Sequence, residues 1–113
     1  MKNLVVTALL TAGLMGCTSV TEGRYKTVQT VLETSEGRDR LVERCIEKMK
    51  KMSIQARRDM AAITRSSLES APSVGCKRVT VAIASGRLSQ KELANMSNPA
   101  ADHSNLIRVL QGR

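Results

Sequence analysis

The residues able to do chemistry are few: Cys17, Cys45 and Cys76, a single histidine (His103), and the thioethers of Met49, Met52 and Met60. Cys45 and Cys76 stand 31 positions apart and no C-x-x-C pair exists, so neither thioredoxin-type exchange nor a zinc ribbon is supported. No C-x-x-C-H run is present to attach a c-type haem. His103 lies near the start of the last helical segment and reads as a polar first-turn residue, not as a general base. A Gly-x-Ser-x-Gly elbow and a Gly-x-x-x-x-Gly-Lys phosphate loop are both absent. With one Tyr, no Phe and no Trp, the chain is poorly equipped to stack bases or to line a sugar cleft. The thioethers suit Cu(I), but Met49, Met52 and Met60 recur at helical core spacing, where Met fills irregular gaps. The expectation is no enzyme and no metal. The length, 113 residues, admits one small domain and excludes a TIM barrel, a two-lobed kinase or a doubly wound dinucleotide fold.

The third cysteine has a different context. Met1-Lys2-Asn3 is a short cationic start, and Leu4–Leu14 is an uncharged apolar stretch followed by Met15, Gly16 and Cys17. As a helix, residues 4–16 would cover about 20 Å, short of the roughly 30 Å hydrocarbon core. The order of regions is that of an export signal. Leu14 stands at −3 where an ordinary signal peptidase site wants a small residue. Leu14-Met15-Gly16-Cys17 instead resembles the bacterial lipobox: Leu, a variable residue, Gly or Ala, then Cys. The resemblance covers residues 1–17 alone, and no family is recognised for residues 18–113. It implies lipidation of Cys17 (a diacylglycerol on sulfur, a further acyl chain on the new amino group) and removal of residues 1–16. Several acyl chains hold a protein stably where one does not. Thr18, not Asp, follows the cysteine, which by the lipoprotein sorting rule implies the outer membrane, on its periplasmic or surface side. In a monoderm host the corresponding place is the outer face of the plasma membrane. The covalent lipid on Cys17 is the only cofactor expected.

The elements that must position these residues read as helices. Thr18–Gly23 is a tether to a single domain over residues 24–113. Arg24–Thr34 places Tyr25, Val28 and Leu32 at helical spacing, with a strand as the alternative for its Thr and Val. Ser35-Glu36-Gly37 reads as a break, with Asp39 as the next cap. Leu41, Cys45, Met49, Met52, Ala56, Met60 and Ile63 are spaced 4, 4, 3, 4, 4 and 3, an apolar stripe of helical period. Ser70–Gly75 ends this region, and Cys76–Ser85 forms another helix with Val79 and Ile83 inward, closed by Gly86. Ser89-Gln90-Lys91-Glu92 is a capping box with Leu88 and Leu93 as the staple. Asn98-Pro99 is read as the start of the last helix, with Leu106, Ile107 and Leu110 inward. The fold expected is all-α, a small bundle of four to five short helices.

With Cys17 assigned to lipid, Cys45 and Cys76 remain as an even pair in an exported chain, so a disulfide between them is expected. One straight helix from Asp39 to Glu69 would carry its end about 36 Å from Cys45, and Ser70–Cys76 reaches back at most about 25 Å. The bond therefore requires the stripe to break. Lys51-Met52-Ser53-Ile54 is the place for it, with Ser53 capping a second helix that folds back on the first. The alternative is an unbroken helix with thiols free for an intermolecular bond.

Charge is distributed unevenly. Residues 17–47 carry a net −1 and residues 48–113 a net +8. Between Lys48 and Lys91 lie ten cations (Lys48, Lys50, Lys51, Arg57, Arg58, Arg65, Lys77, Arg78, Arg87 and Lys91) and two acids. The simplest reading is a solvated face; the functional reading is attraction to anionic envelope material. Nucleic acid is disfavoured by location. Two functions follow: a lipid-anchored, non-enzymatic adaptor that binds another envelope protein through helix faces, and a module that binds lipopolysaccharide, acidic polysaccharide or phospholipid headgroups through its basic surface. An exposed apolar groove would favour the first; a continuous Lys/Arg face without one would favour the second.

Overall fold

The computed structural model describes residues 22–113, and within them the chain is all-helical and stapled by one disulfide. Six helices follow one another among the described residues: α1 (Glu22–Val31), α2 (Ser35–Lys50), α3 (Ile54–Thr64), α4 (Ala71–Ala84), α5 (Gln90–Ala94) and α6 (Ser104–Leu110). Cys17 and residues 1–16, read from sequence as an export signal, lie outside the described residues. Glu22 and Gly23, read from sequence as the end of the tether, form the first turn of α1.

The stripe breaks where the disulfide requires it. α2 stops at Lys50, and the Ser53 hydroxyl accepts from the Ala56 amide at 3.2 Å to cap α3. α4 is the most apolar helix and the central one, packing against α2, α3 and α6. It carries the buried residues Ala71, Cys76, Ala82 and Ile83. Its start corrects the sequence reading: Ser70–Gly75 does not merely end the preceding region but supplies the first turn of α4, because Pro72 falls where a missing N–H costs nothing. Gly86, at φ +80°, follows α4 in the left-handed conformation expected of it.

Two other boundaries differ. Thr34, not Asp39, caps α2: its hydroxyl accepts from the Gly37 amide at 3.0 Å. The helix can begin so early because Gly37 is buried against the end of α1, where an added Cβ would lie 1.9 Å from the Val31 carbonyl oxygen. Asp39 is an exposed residue inside the helix. Asn98-Pro99 makes a turn instead of a helix start, with Asn98 Oδ1 accepting from the Ala100 amide at 3.0 Å. α6 begins at Ser104, and the Asp102 carboxylate accepts from the Ser104 amide at 2.9 Å and from its hydroxyl. Asn therefore spends its capping oxygen on a local turn, a use as favourable for Asn as a helix cap.

The packed core gathers Leu32, Ala82, Ile83, Leu88 and Val109, with Tyr25, Val28, Leu41, Val79, Leu93 and Leu106 against it. Tyr25 donates to the Leu88 carbonyl at 2.6 Å and Gln29 to the Ile83 carbonyl at 3.3 Å, so α1 is tied to the end of α4. The capping box of α5 is formed as read from the sequence. Asn105 of α6 joins it, donating to Glu92 Oε2 and to the Arg87 carbonyl, both at 2.8 Å.

Candidate functional site

The break at residues 51–53 folds the apolar stripe onto two walls, and the walls do not close. Between them lies a cleft of about 800 Å³, within the roughly 300–1,000 Å³ range of ligand sites. α2 contributes Leu41, Cys45 and Met49 to it, and the α2–α3 turn contributes Met52. Met60 comes from α3 and Gly75, Cys76 and Val79 from α4. Met96 from the α5–α6 connection, with Leu106 and Leu110 of α6, completes the lining.

The disulfide sits in this lining. Cys45 and Cys76 are bonded, with Cα atoms 5.8 Å apart, and so fix the α2 wall against the α4 wall. Cys76 is fully buried, and Met49 Sδ packs 3.2 Å from its sulfur. Gly75 lets the walls approach: a Cβ there would lie 3.2 Å from Met60 Sδ and 3.5 Å from Leu110 Cδ2.

All four methionines among the described residues line the cleft. The sequence reading of Met49, Met52 and Met60 as core gap-fillers is corrected in part. Met49 and Met60 are half-buried, but Met52 is 47 % exposed and Met96 41 % exposed. Met52 falls in the turn, off either helix, so the period that marks it as inward does not apply to it. Met96 escaped sequence reasoning altogether, since it follows a five-residue helix and belongs to no stripe. Unbranched thioethers adapt to different partner shapes, and Met-rich surfaces are typical of binders that accept varied apolar partners.

The mouth of the cleft is basic. Arg44, Lys48 and Lys51 line it together with a single acid, Glu47. All four are exposed. Ion pairs among the described residues include Lys26–Glu22 and Arg40–Glu36, and none joins a cation of the mouth to a carboxylate. Arg44 was not among the basic residues singled out by sequence, because it precedes the run that begins at Lys48.

The ten basic residues divide into different roles. Lys48 and Lys51 belong to the cleft. Lys50, Arg58, Lys77 and Lys91 are exposed on their helices. Arg78 is structural: its guanidinium donates to the Leu110 carbonyl at 2.6 Å and the Thr64 carbonyl at 3.2 Å, satisfying the C-terminal carbonyls of α6 and α3. Arg87 donates to the Arg113 carbonyl. Arg65, at φ 55°, ends α3 in the left-handed conformation. Arg57 is half-buried, with its Nε enclosed and without a partner. Lys77, Arg78 and Arg87 border a shallower depression of about 280 Å³ against Val109 and Gly112.

His103 stands at the start of α6, where its Nε2 is 2.8 Å from the Asn98 carbonyl oxygen. Glu92 is the acid with the clearest environment: the hydrogen bond from Asn105, then those from Ser89, hold its carboxyl below its usual 4.5. Asp102 is lowered in the same way, first by the Ser104 hydroxyl and then by the Ser104 amide. Glu92 is engaged in the capping box of α5, and Asp102 in a local turn at the start of α6. Among the described residues no group of three His, Cys, Asp or Glu side chains is placed to hold a metal ion. No helix of the described residues is long and apolar enough to cross a membrane.

The fold and site thus define a disulfide-stapled helical bundle with an open, methionine-lined cleft. Comparison with family models, with curated proteins and with solved structures finds no match for this chain.

Proposed function

We propose that this chain is a lipid-anchored envelope protein that acts as a non-enzymatic adaptor, holding an apolar segment of another envelope protein in the methionine-lined cleft. The observation that carries this reading is the cleft itself: a preformed apolar concavity that gathers every methionine of the described residues. The anchor is Cys17, on the strength of Leu14-Met15-Gly16-Cys17 behind a short apolar stretch. The location is the outer membrane, as Thr18 implies. Acyl chains confine the protein to the bilayer surface, and confinement raises the effective concentration of any membrane-bound partner.

The experiment is co-purification from gently cross-linked envelopes, using the full chain and two variants. Met52→Lys/Met96→Lys puts charge into the cleft at two exposed positions that the fold does not need buried. Lys50→Glu/Arg58→Glu/Lys91→Glu reverses exposed basic residues that do not line it. The adaptor reading expects the cleft variant to lose the partner and the surface variant to keep it. The reverse result overturns it. Intact mass should show an acylated species beginning at Cys17, and Cys17→Ser should leave the precursor unprocessed.

A second reading draws on the exposed, unpaired cations Lys50, Arg58, Lys77 and Lys91. Each cation near an anionic membrane surface contributes about 1 kcal/mol, decaying over a Debye length of about 8 Å at physiological salt. In this reading the domain binds lipopolysaccharide, acidic polysaccharide or phospholipid headgroups, and retention of anionic vesicles is lost in the surface variant.

A further inference from the structure

The cleft pairs two chemistries in a fixed arrangement. On α2, Cys45 and Met49 form the apolar wall, continued by Met52 in the turn, while Arg44, Lys48 and Lys51 each stand one residue earlier. The two series share the spacing 4 then 3, so three cations run beside the wall from Cys45 to Met52. Glu47 is the one acid among them, and no carboxylate of the described residues pairs with the three cations.

We propose that the occupant of the cleft is one amphipathic helix of an envelope protein, its apolar face on the methionines and an acidic flank of Asp or Glu against Arg44, Lys48 and Lys51. This rests on the adaptor reading above and adds the chemistry of the partner. Three observations select it. The described residues contain no strand for a partner strand to extend, and the cleft lining holds no aromatic side chain to grip a polyproline-II segment, which favours helix-in-groove docking. Arg44 and Lys48, one turn apart on α2, with Lys51 at its C-cap, match carboxylates that recur one turn apart on a facing helix. The methionines tolerate many apolar shapes, which leaves charge as the source of register and choice among partners.

The test is photocross-linking in cells that make the full-length chain, with a benzoylphenylalanine replacing Met96 at the exposed edge of the cleft. The adduct is identified by mass spectrometry, and the experiment is repeated in the background of Arg44→Glu/Lys48→Glu/Lys51→Glu. A protein adduct mapped to an apolar helical segment with Asp or Glu within one turn is the expected result, with its yield reduced about tenfold by the triple reversal, about 1.4 kcal/mol spread over three exposed pairs. Reversal of Arg58, Lys77 and Lys91, which carry the same charge outside the cleft, should leave the yield unchanged. Should the triple variant lose helicity, Lys48→Glu alone should lower the yield about twofold, the effect of one exposed pair. A protein adduct on a neutral or basic segment, or a yield indifferent to reversal, overturns the acidic-helix proposal while leaving the adaptor reading in place. A lipid adduct, or no protein adduct at all, overturns both.

Discussion

Two apolar regions of this protein adjoin through Leu41, Val79 and Leu106, yet they are built differently. Around Leu32 and Leu88 the chain is closed: both side chains are buried to 1 % exposure or less, in a cluster of Leu, Ile, Val and Ala. Around Met49 and Met60 the chain is open, and a cleft of about 800 Å³ remains between α2, α3, α4 and α6. Branched side chains have few rotamers and specify one packing. Unbranched methionines hold no single shape. The closed region is where the fold is determined, and the open one is where the proposed partner would sit. Across the open region the α2 and α4 walls are linked covalently by the Cys45–Cys76 bond.

That contrast can be broken at its staple first. Replacing Cys45 and Cys76 together by Ser removes a link across 31 positions, and should cost about 3–4 kcal/mol of unfolding free energy in the chain-entropy picture. Denaturant titration of oxidised wild type against the double variant checks it. A loss below about 1 kcal/mol would mean that the walls are held by packing alone.

Truncation of the two regions should then give unequal losses. Leu88→Ala, in the closed core, should destabilise by about 2–5 kcal/mol. Met96→Ala, at the edge of the cleft, should stay within about 0.5 kcal/mol of wild type, as surface substitutions do. Equal losses would erase the distinction between the regions.

Gly37→Ala tests the junction of α1 with α2. Its new Cβ would lie 1.9 Å from the Val31 carbonyl oxygen, so α1 must move away from the core it covers. A loss of about 1–3 kcal/mol is expected, read as a lower midpoint with Tyr25 more exposed to solvent.

The smallest effect concerns pH. The folded Glu92 carboxyl titrates below its usual 4.5, chiefly through the Asn105 hydrogen bond. Its contribution to stability is therefore complete above that unfolded value and is lost as pH falls through the lower folded one. Glu92→Gln keeps the shape of the capping box but removes the titration. Below pH 4.5 the stability gap between wild type and this variant should narrow; a gap constant with pH would remove Glu92 from the acid limb.

Much of this architecture was legible in the residues, for physical reasons. The break at Ser53 followed from chain reach, since a straight helix could not bring Cys76 back to Cys45. The α5 cap followed from side-chain chemistry at a fixed offset. What escaped depended on tertiary approach. Gly37 reads as a helix breaker until α1 lies close enough to need a missing Cβ, and Asp39 looks like a cap only while Thr34 is unplaced. Asn98 looks like a helix cap because the same side-chain oxygen serves a turn equally well. The basic run was visible, but not that Arg78 is consumed by two helix ends while Arg44 and Lys48 border a cleft. The cleft itself was hidden inside a correct stripe: periodicity marks which residues face inward, and does not say whether the walls meet.

The central claim, that the open region is occupied by a partner in the envelope, is tested most directly by methionine oxidation footprinting. Intact cells and the purified full-length protein are given the same short pulse of hydrogen peroxide, and sulfoxide is read by mass spectrometry at Met52 and Met96, the exposed pair. Both should be protected in the envelope relative to the purified protein, and that protection should be lost in Arg44→Glu/Lys48→Glu/Lys51→Glu. Equal oxidation of Met52 and Met96 in cells and in the purified protein would mean that nothing covers the cleft, and would contradict the account.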